Sequence, residues 1–499
     1  MSSLTLPYLG YSADEPATLN LFAWGADNLR DVTLTRASVL ADGAFSGFTR
    51  LRSVSLPDTL ESIGKDVFAE CSSLSELYIP DSVRSIGSGA LAGCSSLENL
   101  DIPFLGENES IAGTVPALFG WEDYRDCPGA FCSLKSVRVR GGEEIAAGAF
   151  YRCSLLEEVD YRQTIRSIGE DAFSGCASIT SFTLPSGLET IGSGAFEGCY
   201  RLYEVENRSS LNVRAGSEGY GMVAKYALAV YGAGENMPAR ETEGNWTFME
   251  TGGVRYLVGY GDRSFLSLPQ TPQSYRIAPY LFYNDTNIER LDSTGSAEII
   301  GDYAFLQCAF LTKAVFSEGI KEIGEGAFSG CGALTQVTLP ASLAEIGEGA
   351  FSSSCLYEVW NLSSLPVEAG GSDYGGVGKY AMFIYDSADE ESRVAAEDGF
   401  IFVRDGEEWS LVAASQTDRV YLPEDGRIGG VRIDGYALGK GFGNEGIKVL
   451  YIPMEVERVG QGAFDGCTGL TAIYYEGTEE EWQQIGGYTP SGCSIVYES

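Results

Sequence analysis

The sequence predicts a repeat solenoid, β-dominated within the α/β type, and three observations predict it. One phrase returns every 23 residues: Leu, two variable positions, a short strand, Pro, then Ile-Gly, two variables, Ala-Phe, two variables and Cys, with clear copies at residues 51–74, 74–97, 179–202 and 311–334. The phenylalanines and Ile-Gly pairs keep that register along most of the chain. The composition, 44% apolar with 63 glycines among 499 residues, is that of an ordered chain. A period of this size makes each copy one coil, unable to bury its apolar edge alone.

Within one coil, Leu77 and Ile79 point inward and Tyr78 outward, because strand side chains alternate. Pro80 ends the strand because it has no N–H to donate. Val83 and Ile86 return the chain to the core, and Gly87 is expected to supply backbone freedom at the corner. Stacked coils then align their strands into a parallel sheet on one face, with short helical or tight turns on the other. Phenylalanine recurs at 45, 68, 131, 150, 173, 196, 305, 328, 351 and 464, a rhythm that reads as a packed spine, not a binding stripe. Of 12 cysteines, nine are assigned to one coil position (71, 94, 153, 176, 199, 308, 331, 355 and 467), as small buried hydrophobes. Cys127, Cys132 and Cys493 sit off that register, and a Cys127–Cys132 bond is left open.

Two inserts interrupt the coils. Residues 202–231 match 356–385 at an offset of 154, with 18 identities in 30 positions. The offset continues from Trp246 against Phe400 to Leu268-Pro269 against Leu422-Pro423. Val223, Tyr226 and Tyr231 read as one strand-like run, and Gly252-Gly253 and Asp405-Gly406 as hairpin turns, making both inserts β-hairpin elaborations with acidic tips. A weaker match relates Leu6-Pro7-Tyr8-Leu9-Gly10 and Leu21-Phe22 to Ile102-Pro103-Phe104-Leu105-Gly106 and Leu118-Phe119, with a loop rejoining at an Ala-Phe turn. The expected division is a solenoid at 1–202 with a loop insertion at 101–133, an insert at 203–274, and coils at 275–356. A second insert at 357–430 and terminal repeats with a cap at 431–499 complete it. Thr478 should cap a last short helix whose Trp482 closes the final coil.

The 33 basic and 70 acidic residues leave a net charge of −37, unfavourable for nucleic acid or anionic lipid. No apolar run is long enough for a membrane helix, and no signal peptide or anchor is visible. With no histidine, Ser-His-Asp and Cys-His catalysis are excluded. Residues 439–443 have the glycines of a phosphate loop without its Gly-Lys-Ser pattern, and no acidic loop has calcium spacing. No cofactor or metal is expected. The candidate contacts are outward strand positions: Tyr78, Asp101, Arg138, Asp160, Thr183, Thr338, Trp360, Tyr451 and Tyr474. Tyr78, Trp360, Tyr451 and Tyr474 are preferred, because tyrosine and tryptophan give large rigid contact area with a polar handle. For each of them, merely covering the sheet or packing under the inserts is the competing role.

The phrase from Leu74-Ser75-Glu76-Leu77-Tyr78-Ile79-Pro80 through Ile86-Gly87 to Cys94 resembles the BspA-like leucine-rich repeats of bacterial surface proteins. Leu356-Tyr357-Glu358-Val359-Trp360-Asn361 and the ending Ile473-Tyr474-Tyr475-Glu476-Gly477-Thr478 with Trp482 are similar to that group as well. The resemblance spans essentially the whole chain. It implies a leucine-rich-repeat-like fold, a secreted or cell-surface location, and adhesion to a host or bacterial protein or glycoprotein, such as matrix protein or mucin. It carries over no catalytic residue. The expectation is a monomeric, non-enzymatic recognition module. A structural spacer of a larger surface protein and a carbohydrate-binding or carbohydrate-processing module are the alternatives.

Overall fold

The computed structural model describes residues 3–497 apart from 10–27, 109–111, 130, 162–163, 236, 262–264, 294, 398–399, 406–407, 415–417, 424–425, 429–430, 434–435, 439–445 and 465–466. Gly10, Leu21, Phe22, Gly406 and the 439–443 segment singled out above lie outside the described residues. The chain forms two compact units, residues 1–261 with 275–281, and residues 262–274 with 282–499.

Each unit is a β-solenoid of leucine-rich-repeat type. In the first, Glu76–Tyr78, Asn99–Ile102, Ser136–Val139 and Glu158–Tyr161 pair in parallel, one strand per coil. In the second, Phe265–Ser267, Arg290–Ser293, Lys313–Phe316, Gln336–Leu339, Glu358–Asn361 and Phe383–Tyr385 do the same. The Ile-Gly corner adds something the sequence reading lacked. Its isoleucine and the residue before it form a second parallel ribbon, as in Ser62–Ile63 with Ser85–Ile86 and Ser167–Ile168 with Thr190–Ile191.

The glycine of that corner has a different role from the one expected. Its N–H donates to the isoleucine carbonyl of the coil before, Gly87 to Ile63 at 2.8 Å. A Cβ on Gly87 would stand 2.4 Å from the Lys65 nitrogen and 2.5 Å from the Gly64 carbonyl carbon. Close approach of two backbones, not φ freedom, demands glycine there.

Between the ribbons lies the phenylalanine spine. Phe45 and Phe68 stack at 5.5 Å, and Phe150, Phe173 and Phe196 at 5.2 and 5.0 Å. Phe282, Phe305, Phe328 and Phe351 continue the pattern in the second unit at 4.5, 4.9 and 5.3 Å. Phe282 escaped the sequence reading because Leu281 replaces the alanine before it. Phe131 is not part of the spine. The inserted loop rejoins the stack earlier, through helix Val115–Leu118, whose Thr114 cap accepts from the Ala117 N–H at 3.1 Å. Val115 and Leu118 are buried in the spine region, and half-buried Phe131 meets Phe119 edge-on at 5.7 Å.

The ladder cysteines also have a definite job. The thiols of Cys71, Cys94, Cys176, Cys199, Cys308 and Cys331 donate to the phenylalanine carbonyl 26 residues earlier, as in Cys71 to Phe45 at 3.2 Å and Cys308 to Phe282 at 3.0 Å. Burial pushes Cys71 and Cys94 up to about 12, so they remain neutral donors. Cys355 is one residue out of this register. Ser354 fills the slot instead, buried, with its hydroxyl donating to the Phe351 carbonyl at 2.7 Å.

The inserts are longer coils followed by antiparallel meanders. In the first, Glu204–Asn207 continues the parallel sheet and Ala229–Gly232 pairs beside it, also parallel. Val223 and Tyr226 lie in the turns after the short helix Tyr220–Met222, not in one strand with Tyr231. Only then do Ala239–Glu243, Trp246–Thr251 and Val254–Tyr260 run antiparallel. Gly252 and Gly253 both have positive φ (58° and 76°), the backbone a tight hairpin turn requires. The second insert repeats the meander with Val394–Glu397, Phe400–Asp405 and Glu408–Ala414. Even the β-bulge recurs, at Thr247/Phe248 and Ile401/Phe402, again 154 residues apart. At the end, Thr478 caps helix Glu479–Gln484 in a capping box, and buried Trp482 packs on Tyr475 at 5.1 Å.

Candidate interaction surface

Outward strand positions of neighbouring coils stand opposite one another, so each sheet presents rows of side chains. Four of the predicted contacts form one row in the first unit, since register pairs Tyr78 with Asp101, Asp101 with Arg138, and Arg138 with Asp160. They line a shallow depression of about 460 Å³. Its charges are largely satisfied internally. Arg138 donates to Asp160 at 2.7 Å, and Arg140 donates to Asp81 at 2.7 Å and also to Asp101 and the Ile79 carbonyl. The Arg140 guanidinium lies 4.7 Å from the centre of the Tyr78 ring, so this exposed tyrosine already has a cation on its face. Thr183 belongs to another three-stranded sheet of this unit, where its hydroxyl donates to Glu206 at 3.3 Å.

In the second unit Thr338 pairs in register with Trp360. The structure removes Trp360 from the exposed contacts. It is only 7% exposed, its indole N–H donates to the Glu390 carbonyl at 3.1 Å, and its ring packs on Tyr385 at 4.8 Å. The tip of the second insert thus folds back across the sheet over Trp360.

A buried carboxylate holds that tip. Glu358 is fully buried and accepts four hydrogen bonds: from Tyr385 Oη (2.7 Å), Gln336 Nε2 (2.8 Å), Ser392 Oγ (2.6 Å) and the Arg393 N–H (2.5 Å). Its counterpart Glu204, 5% exposed, accepts from Tyr231 Oη at 2.6 Å and from Arg240 at 2.7 and 2.9 Å. Sequence reasoning passed over both. The available signal was the shared phrase Leu-Tyr-Glu-Val at 202–205 and 356–359, with Tyr231 and Tyr385 each 27 residues beyond its glutamate.

The remaining two predicted contacts, Tyr451 and Tyr474, stand together and gain a third partner. In the sheet Asp418–Tyr421, Ile447–Ile452, Ala472–Tyr475 and Ser494–Tyr497, register sets Tyr421, Tyr451, Tyr474 and Val496 in one outward row. Tyr421 and Tyr451 stack at 4.1 Å and Tyr451 and Tyr474 at 4.8 Å, within 13° of parallel. Tyr421 is 58% and Val496 42% exposed. The neighbouring Tyr421 hydroxyl raises Tyr451 above the ordinary phenol value. Tyr421 was missed because Val420-Tyr421-Leu422-Pro423 closes the duplicated insert, although it matches Leu450-Tyr451-Ile452-Pro453 as a coil strand.

Among the described residues, no group of three or more His, Cys, Asp or Glu is placed to hold a metal ion, and no helix is long and apolar enough to cross a membrane. The profile of the BspA type leucine rich repeat region matches residues 19–112, 130–216, 266–366 and 439–497, in six copies, well over half of the chain. The chain belongs to the BspA-type leucine-rich repeat family. Solved structures similar to this BspA-type chain include a leucine rich cell surface protein from Faecalibacterium prausnitzii (19% identity, 92% of this chain and 91% of that one, TM-score 0.27). A leucine-rich repeat protein from Bacteroides ovatus (18%, 77% and 92%, 0.28) and the pneumococcal vaccine antigen PcpA (14%, 94% and 80%, 0.21) are further examples. No curated protein matches the sequence.

Proposed function

We propose that this chain is a non-enzymatic protein-binding module of a bacterial surface or secreted protein, and that its contact surface is the row Tyr421, Tyr451, Tyr474 and Val496. The observation that carries this reading is the tyrosine stack itself. Each ring is held by its neighbours at 4.1–4.8 Å, so little side-chain entropy remains to be lost on binding. The first unit's row supports the choice by contrast, because its arginines and aspartates already bind one another. Membership of a repeat family typical of surface proteins supports the class of function.

A protein partner suits this row better than a sugar. Sugars stack on aromatic faces, and both faces of Tyr451 are occupied by Tyr421 and Tyr474. What the stack offers outward is ring edges and hydroxyls, suited to backbone and side-chain polar groups of a polypeptide.

The test is biolayer binding of the purified chain to fibronectin, fibrinogen, laminin, collagen and mucin, at about 0.15 M and about 0.5 M salt. Saturable binding to one protein that survives the higher salt is expected. The double change Tyr451→Ala and Tyr474→Ala should weaken it at least about tenfold, with circular dichroism unchanged. Undiminished binding by the double variant would move the contact elsewhere. Binding to every partner that vanishes with salt would reduce the activity to charge attraction, and silence across the panel would favour the spacer role.

A further inference from the structure

We propose that Cys132 and Cys153 are a built-in cross-linking site, which forms a disulfide in an oxidising medium and ties the 101–133 insertion to the solenoid core. The two sulfurs are 3.7 Å apart, in direct contact, and both residues are buried. The surrounding repeat explains why they meet. A ladder cysteine normally donates to a phenylalanine carbonyl 26 residues back, as Cys176 does to Phe150 at 3.1 Å. Counting back 26 residues from Cys153 reaches Cys127, not a phenylalanine, because the insertion has replaced that part of the coil. The sulfur of Cys132 occupies the place beside Cys153 instead.

The third cysteine of the region is held differently. Cys127 lies with its sulfur 3.9 Å from the Tyr151 carbonyl, and its own carbonyl accepts from Arg152 Nη1 at 3.0 Å. The pairing left open on sequence grounds, Cys127 with Cys132, therefore gives way to Cys132 with Cys153. Geometry also assigns the roles. The Cys132 thiol donates to the Cys153 sulfur and is 5% exposed, whereas Cys153 is fully buried, so a reagent meets Cys132 first. Cys132 is the attacking sulfur.

The oxidant is a low-molecular-weight disulfide. The Cys132 thiolate attacks one sulfur of the reagent, forming a mixed disulfide and releasing one reagent thiolate, which takes up the proton Cys132 lost. Cys153, deprotonated in turn, attacks the Cys132 sulfur and releases the second reagent thiolate, which is also protonated. Two protein thiols are oxidised and one reagent disulfide is reduced to two thiols. Because both sulfurs are buried, exchange proceeds through local opening and is slow.

The full chain is equilibrated with glutathione at several oxidised-to-reduced ratios, quenched in acid, alkylated and digested with trypsin without reduction. The expected product joins peptide 126–135 to peptide 153–162, with Cys127 alkylated, and grows with the oxidised fraction. Oxidation should raise the melting temperature by roughly 5 °C, since the bond closes a loop of about 20 residues. Cys127→Ser should retain both the linked peptide and the rise, and Cys153→Ala should abolish both. A bond between Cys127 and Cys132, or full alkylation of Cys132 and Cys153 at every ratio, would overturn the proposal. The wild-type map alone decides this even where a variant folds poorly.

Discussion

A single methyl group added at Gly87 would collide with the backbone of the coil before it, 2.4 Å from the Lys65 nitrogen. Gly87→Ala should therefore destabilise the chain by about 3 kcal/mol, read as a lower urea midpoint. The matched control is Gly332→Ala. Nothing lies within 4 Å of the Cβ it would acquire, so a change within about 0.5 kcal/mol is expected. Equal effects at the two sites would refute the close-approach account. The sequence announced that this glycine matters through its recurrence beside isoleucine, yet suggested the wrong reason. Repetition marks a constrained position without saying whether the constraint is a dihedral angle or a neighbour. Cys355 carries the same lesson, since a cysteine near the expected spacing fell one residue out of the slot that Ser354 fills.

The inserts illustrate what is legible at the scale of an element. The turn of the first meander was readable because Gly252-Gly253 states a backbone requirement locally. Burial of Glu204 and Glu358 was not readable. A glutamate opening a strand reads as solvent-facing, and only the returning chain, 27 to 36 residues later, covers it. Glu358 is an acceptor-only group meeting four donors. Glu358→Gln keeps the shape but turns an N–H pair toward donors, so a loss of about 2–4 kcal/mol is expected. The loss should be local. Amide exchange should accelerate across residues 383–394 and stay unchanged in the coils at 311–346. Uniform acceleration, or none, would mean that the carboxylate does not anchor the tip.

For the whole molecule, the decisive fact is that the parallel ladders and the phenylalanine stack join each coil to the adjacent ones. Phe173 is fully buried between Phe150 and Phe196. Phe173→Ala should cost about 3–5 kcal/mol through the cavity it leaves. In a solenoid that cost falls on adjacent coils. Exchange should rise around residues 145–200 and remain at wild-type level near Phe305 and Phe328 in the other unit. A rise of equal size in both units would contradict nearest-neighbour stabilisation. The net charge of −37 acts at this scale as well, favouring partners with basic patches and making weak encounters salt-sensitive.

The sequence by itself determined the repeat, the inward and outward alternation, the spine and the capped final helix, because each follows from side chains a few residues apart or one period apart. It also named eight outward positions that remain on the sheet faces. Only the tertiary structure decided that Trp360 is covered, that Tyr421 completes the tyrosine row, that Arg140 occupies the Tyr78 ring and that Cys132 faces Cys153. Those outcomes depend on where an inserted segment returns to the stack. A loop's return path is governed by contacts between residues far apart in the chain, which no local period records.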